Sequence, residues 1–255
     1  MLSISLLGPI ELRLAGTVAP LSANDRALLA ALSLRIGQPV SIASLTNFVW
    51  NDRPPAKATQ SIQTYVRRLR QHLGGQITFC DDRGYALEGD PEIVDVVRFN
   101  RLFEAACGLR RSDLGRCLDN ASGALELWRG PAMSGVESFQ AAHARNVLEE
   151  TRLSTVEILL RCRMDRGEDG AVAAELRQLV ILHPRRPSFW ALLMAALYRG
   201  GRQSDALRVG QQAAAQLRLG PNHGVIDLRN IETAILTQDP GLEESLLDSA
   251  HAAAL

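Results

Sequence analysis

Apolar positions change period twice along this chain, and the changes outline its elements. Between residues 4 and 14 they alternate, with Ile4, Leu6, Ile10, Leu12 and Leu14 on either side of Gly8-Pro9. That is the pattern of a β-hairpin. Gly16 and Pro20 bracket another short extended piece around Val18. The period then lengthens. Leu28, Leu29, Leu32 and Ile36 form the buried face of a helix from Asp25 to about Ile36, with Ser22 or Asn24 as its cap and Gly37-Gln38-Pro39 as its end. Ser41 can cap a second helix, Ile42–Trp50, that turns Leu45, Phe48 and Val49 inward, and Asn51–Pro55 is a turn. A third helix, Lys57–Leu73, lies between Pro54-Pro55 and Gly74-Gly75, with Ile62, Val66, Leu69 and Leu73 as one apolar stripe. Alternation returns over Gln76–Glu88, with Ile77 and Phe79 on one arm, Tyr85 and Leu87 on the other, and Asp81–Gly84 at the tip.

Gly89-Asp90-Pro91 is a short break, and the remainder reads as helical. Phe99, Leu102 and Phe103 start one helix and Leu114–Trp128 forms another, up to Arg129-Gly130-Pro131. Further helices are expected near 140–166, 170–182, 188–199, 203–217 and 225–237. Leu159-Leu160, Gly167 and Val172 match Leu192-Leu193, Gly201 and Ala206 at an offset of 33 to 34 residues, the tetratricopeptide period. The expected fold is mainly α. A winged helix-turn-helix domain with a small β-sheet and a wing hairpin occupies residues 1–92. An all-α tetratricopeptide-like domain follows over 93–240, and 241–255 form a tail. The break at Gly89–Pro91 predicts that residues 1–92 fold alone.

The third helix carries the most informative chemistry. Opposite its apolar stripe lie Lys57, Gln60, Thr64, Arg67, Arg68 and Gln71, with Gln63 on the flank. Residues 57–73 hold four Lys and Arg and no Asp or Glu, so this face offers cations and amides to a polyanion without repelling it. In a winged helix-turn-helix the third helix enters the major groove and the hairpin lies over the adjacent backbone or minor groove. Gln60, Gln63, Thr64, Arg67 and Gln71 are therefore candidates for base edges, because Gln can bond adenine and Arg guanine in a bidentate way. Lys57, Arg68, Arg70 and Arg83 are candidates for phosphates, with an internal ion pair the alternative for Arg70. Tyr65 and Trp50 are read as core.

Composition narrows the classes further. With 28 basic and 28 acidic residues the chain is neutral, which argues against indiscriminate coating of nucleic acid, and the positive charge gathers on one helix. No apolar run reaches membrane-spanning length, and the N-terminus lacks the basic start of a signal peptide. A cytoplasmic, nucleoid-associated location follows as the expectation. Cys80, Cys107, Cys117 and Cys162 have no metal-ligand spacing, and His72, His143, His183, His223 and His251 are scattered. No nucleophile elbow, phosphate loop or paired-carboxylate motif is present. An enzyme, a metal centre and a cofactor are not expected.

Several motifs in fixed order carry a family resemblance: LLGPIEL at 6–12, RALLAALSL at 26–34, FVWNDRPP at 48–55, IQTYVRRLRQHLG at 62–74, GYAL at 84–87, ALELWRGPA at 124–132, LMAALYRGGRQSDAL at 193–207 and residues 217–240. Together they resemble the Streptomyces antibiotic regulatory protein family of transcriptional activators. The resemblance implies an OmpR-type winged helix followed by a bacterial transcriptional activation domain. It implies that Lys57–Leu73 is the recognition helix and Gln76–Glu88 the wing. It also implies binding to direct repeats near the −35 region of double-stranded promoter DNA, a homodimer on that DNA, and recruitment of RNA polymerase holoenzyme to a biosynthetic gene cluster. The chain departs from many relatives at the wing tip, where Cys80-Asp81-Asp82-Arg83-Gly84 stands in place of a proline-rich turn. The competing reading is a tetratricopeptide-like adaptor or small-ligand sensor whose winged helix binds protein.

Overall fold

The alternating N-terminal residues have one face to bury, and they form short strands. In the computed structural model, which describes residues 2–217 and 228–237, β1 (Leu2–Ser5), β2 (Glu11–Leu14) and β3 (Thr17–Val18) make an antiparallel sheet in that order. Ile4 pairs opposite Leu12 and both are fully buried. The expected tail 241–255, together with His223 and His251, lies outside the described residues, as does the side chain of Asp82.

Three helices follow. In α1 (Ala23–Ser33) the Ser22 hydroxyl accepts the Asp25 N–H, and the Asp25 carboxylate answers by accepting the Ser22 N–H. This reciprocal cap fixes the first turn. Ser41 caps α2 (Ile42–Trp50) by accepting the Ser44 N–H at 3.1 Å. Next comes α3 (Ala58–Leu73), which buries Ile62, Val66, Leu69 and Leu73 against the core shared with Leu28, Leu29, Leu32 and Leu45. Each such side chain contributes about 1.5–3 kcal/mol by leaving water.

The wing is β4 (Ile77–Phe79) and β5 (Tyr85–Leu87), antiparallel, with Phe79 opposite Tyr85. Beyond β5 it is stitched to the segment between α1 and α2. The Val40 N–H donates to the Tyr85 carbonyl at 2.8 Å and the Tyr85 N–H returns the bond at 3.0 Å. Gly84 makes this approach possible. Its φ is +98°, and a Cβ there would stand 2.2 Å from the Val40 carbonyl oxygen. Only glycine fits such a position without displacing backbone.

The link between β1 and β2 is not a tight turn. Leu6 and Leu7 are fully buried, so their backbone groups need partners. These come from far along the chain. The Leu6 N–H donates to both oxygens of Asp95 (2.8 and 2.9 Å), and the Leu7 N–H donates to Oδ2 at 3.0 Å. The Leu6 and Leu7 carbonyls accept the N–H groups of Met133 (2.7 Å) and Arg129 (2.8 Å). Ile4 also bridges Val94. The core of this unit therefore continues past residue 92 through Val94, Phe99, Ala132 and Met133. The buried N–H and carbonyl groups of Leu6 and Leu7 thus end on residues beyond 92, which stands against the expectation that residues 1–92 fold alone.

The chain divides into two compact units, residues 1–107 with 119–155, and residues 108–118 with the chain from 156 onward. Helices α4 (Asp95–Leu109), α5 (Leu114–Glu126) and α6 (Phe139–Asp165) are distributed between them. The second unit contains α7 (Asp169–Leu182), α8 (Pro187–Arg199), α9 (Gln203–Leu217) and α10 (Leu228–Thr237). The repeat seen in the sequence is structural. Leu160, Val172, Leu193 and Ala206 are all buried. At Gly167 the Glu168 N–H reaches back to the Arg163 carbonyl (3.1 Å), and at Gly201 the Arg202 N–H reaches the Leu197 carbonyl (2.8 Å). Both helices thus end in the same way one repeat apart. Inside this unit the buried Glu157 carboxylate accepts from Arg186 Nε at 2.5 Å and from the Ser188 hydroxyl. No helix among the described residues is long and apolar enough to cross a membrane.

Candidate nucleic-acid interface

α3 begins at Ala58, one residue later than its sequence boundary, with Lys57 exposed at the cap position and making no capping bond. From there the helix sorts its residues by face. All nine residues selected from the sequence are exposed: Lys57, Gln60, Gln63, Thr64, Arg67, Arg68, Arg70, Gln71 and, on the wing, Arg83. Exposure alone does not make them equivalent.

The side chains of Gln60, Gln63, Arg67 and Gln71 have no hydrogen-bond or ion-pair partner among the described residues, and the Gln60 carbonyl also accepts the Thr64 hydroxyl at 2.9 Å. The turn from Gln60 to Gln71 thus presents three amides and one guanidinium with unspent donors and acceptors. The side chains of Lys57 and Arg83 likewise make no such contact among the described residues.

Arg68 and Arg70 differ. The Arg68 guanidinium donates from Nε (3.0 Å) and Nη2 (2.7 Å) to Oδ1 of Asp25 and lies 4.8 Å over the Tyr65 ring. Arg70 Nε donates to the Ile77 carbonyl at 2.9 Å, and its guanidinium sits 5.9 Å from the Tyr85 ring centroid. One arginine joins α3 to α1 and the other joins α3 to the wing. Both arginines, expected at phosphates, are thus engaged within the chain while remaining exposed. For Arg70 the acceptor is a backbone carbonyl, not the carboxylate weighed from the sequence.

Tyr65 and Trp50 are half-buried and pack with ring centroids 5.7 Å apart, and Asn24 donates to the Tyr65 hydroxyl at 2.9 Å. The sequence reading passed over Arg53. It is exposed in the turn just before α3, where its N–H closes on the Trp50 carbonyl at 3.2 Å. Its place inside a helix-turn-helix connection was the available signal. At the wing tip, exposed Asp81 accompanies Arg83 on the turn Asp81–Arg83. No group of His, Cys, Asp and Glu among the described residues could hold a metal ion.

Comparison with known proteins shows what the chain as a whole is similar to. Residues 16–87 match the model of the C-terminal domain of transcriptional regulatory proteins, and residues 94–235 match that of the bacterial transcriptional activator domain. The regulatory protein AfsR of Streptomyces coelicolor is 36% identical over 259 residues, which cover 99% of this chain and 26% of AfsR. The chain thus spans about a quarter of that relative. The transcriptional regulator RedD of the same organism is 35% identical, with 94% of this chain and 72% of RedD covered. The regulatory protein DnrI of Streptomyces peucetius is 31% identical, with 96% and 95% covered. Among solved structures, Mycobacterium tuberculosis EmbR in complex with a low-affinity phosphopeptide superposes with a TM-score of 0.87 at 28% identity, over 99% of this chain and 70% of that one.

Proposed function

This chain belongs to the Streptomyces antibiotic regulatory protein family of transcriptional regulators, and on that footing we propose that it is a sequence-specific DNA-binding activator. In this reading α3 lies in the major groove. Gln60, Gln63, Thr64, Arg67 and Gln71 read base edges, while Lys57, Arg83 and Arg53 meet phosphates. Residues 1–92 carry the DNA contacts and 93–240 the activating function. Two protomers occupy direct repeats near the −35 region of promoters in a secondary-metabolite gene cluster and hold RNA polymerase there.

One observation supports this above the others: α3 buries four apolar residues and leaves an acid-free row of amides and a cation without partners among the described residues. A polar row kept unpaired on a rigid helix is suited to an external partner rich in acceptors and donors. The test is a mobility shift on promoter fragments recovered by genomic footprinting. Loss of a bidentate contact from Arg67→Ala should weaken binding at least about tenfold, since such pairs contribute about 1–3 kcal/mol. Thermal unfolding should change little, because the side chain is exposed. An Arg67→Ala chain that binds its promoter with wild-type affinity refutes the assigned face of α3.

A further inference from the structure

We propose that Asp25 is a positioning residue for DNA reading, acting through Arg68, and that Arg68 serves as a clamp between α1 and α3 in place of a phosphate contact. The inference rests on the DNA-binding reading above. Its ground is the way one carboxylate divides its oxygens. The Asp25 side chain is only 6% exposed. Its Oδ2 accepts the Ser22 N–H (3.2 Å) and hydroxyl (2.6 Å), which closes the cap of α1. Its Oδ1 accepts both Arg68 bonds. Arg68 in turn lies over Tyr65, whose hydroxyl is held by Asn24 of α1 and whose ring meets Trp50 of α2. Contacts from α1 and α2 thus converge on one flank of the recognition helix.

Apolar burial cannot do this alone. Ile62, Val66, Leu69 and Leu73 hold α3 against the core, but hydrophobic attraction is non-directional. Rotation about the helix axis and slide along it are left to contacts with defined geometry. A charge-assisted pair made through two guanidinium nitrogens has such geometry. Each residue step turns the helix by about 100° and advances about 1.5 Å. A small rotation of α3 therefore carries Gln60, Thr64 and Arg67 off the base edges together. Such a change lowers selectivity without removing any phosphate contact.

The alternative gives the opposite signs. Arg68 remains 45% exposed, and if it served a phosphate, Asp25 would be its competitor. Removing that anion would then tighten binding to any duplex.

The experiment uses the full chain with Asp25→Asn, Arg68→Gln and the double variant. The probes are a duplex enriched by the wild-type chain from random sequence and a scrambled duplex of equal length and composition. Anisotropy titrations run across a salt series. The clamp predicts that each single variant loses about tenfold on the enriched duplex and that the double variant loses no more than either alone. Affinity for the scrambled duplex and the salt slope stay at wild-type values. The phosphate role predicts that Arg68→Gln weakens both duplexes and flattens the slope by about 0.9. It also predicts that Asp25→Asn binds both more tightly, and these results overturn the clamp. If a variant fails to fold by circular dichroism, Arg68→Lys keeps the charge and loses the fork. Loss of selectivity with intact scrambled-duplex binding then supports the clamp, and wild-type selectivity overturns it. Failure of the wild-type chain to enrich any duplex overturns the DNA-binding reading itself, whereas tighter binding by Asp25→Asn overturns the clamp alone.

Discussion

Asp95→Ala should destabilise the first unit although Asp95 lies outside the proposed DNA-binding segment. Asp95 is 2% exposed, and its carboxylate accepts three bonds from the N–H groups of the fully buried Leu6 and Leu7. Truncation leaves both donors without partners in the core, at about 1–3 kcal/mol each. An opposing effect reduces that sum. Burial is the largest influence on Asp95 and pushes its pKa above the ordinary 3.8, against the bonds from Leu6 and Leu7 and the nearby Arg129 and Arg98 that pull it down. Folding therefore works against the charge, and removing the carboxylate recovers part of that desolvation. The net loss should be about 2–4 kcal/mol. At about 2–4 °C per kcal/mol for a unit of this size, the first transition should fall by roughly 4–16 °C.

Urea and thermal unfolding followed by tryptophan fluorescence measure this, with Trp50 and Trp128 reporting the first unit and Trp190 the second. The pH dependence follows from the same shift. Because the folded pKa is raised, the stabilising contribution is fully present below 3.8 and is lost as pH rises through the folded value. Wild type should therefore gain stability relative to Asp95→Asn as pH falls from neutral toward 3.8. A fragment ending at residue 92, which lacks Asp95, Phe99 and Met133, should show no cooperative unfolding. An Asp95→Ala chain with an unchanged first transition, or a cooperative 1–92 fragment, would refute the reasoning.

Two further outcomes are expected. Gly84→Ala places a methyl 2.2 Å from the Val40 carbonyl oxygen at a φ of +98°, so it should break the Val40–Tyr85 pairing and cost more than about 2 kcal/mol; a wild-type melting curve would mean that the wing shifts freely. Burial pushes the Cys117 thiol up and the Cys162 thiol up to about 12, so at pH 8 in the folded chain iodoacetamide should label Cys80 well before either, and equal rates by mass spectrometry would contradict the packing around α5 and α6.

The sequence by itself determined the elements and their order. Period and punctuation are local, so Ser41 and Trp50 bounded α2 to the residue, and the acid-free stripe of α3 identified its outer face before any packing was known. The matching ends at Gly167 and Gly201 were also legible, because a helix stop depends on a few neighbouring residues. Tertiary structure decided which charges are engaged within the chain. Arg68 and Arg70 look like Arg67 in sequence, but Asp25 lies 43 residues from Arg68, and Ile77 offers Arg70 only a carbonyl that no side-chain pattern reveals. The same holds for Asp95, whose partners lie 88 and 89 residues away and are backbone groups of two leucines. A helix face follows from spacing along the chain. The partner of a charge follows from which distant segment the core brings within 3 Å, and residue type alone leaves that open.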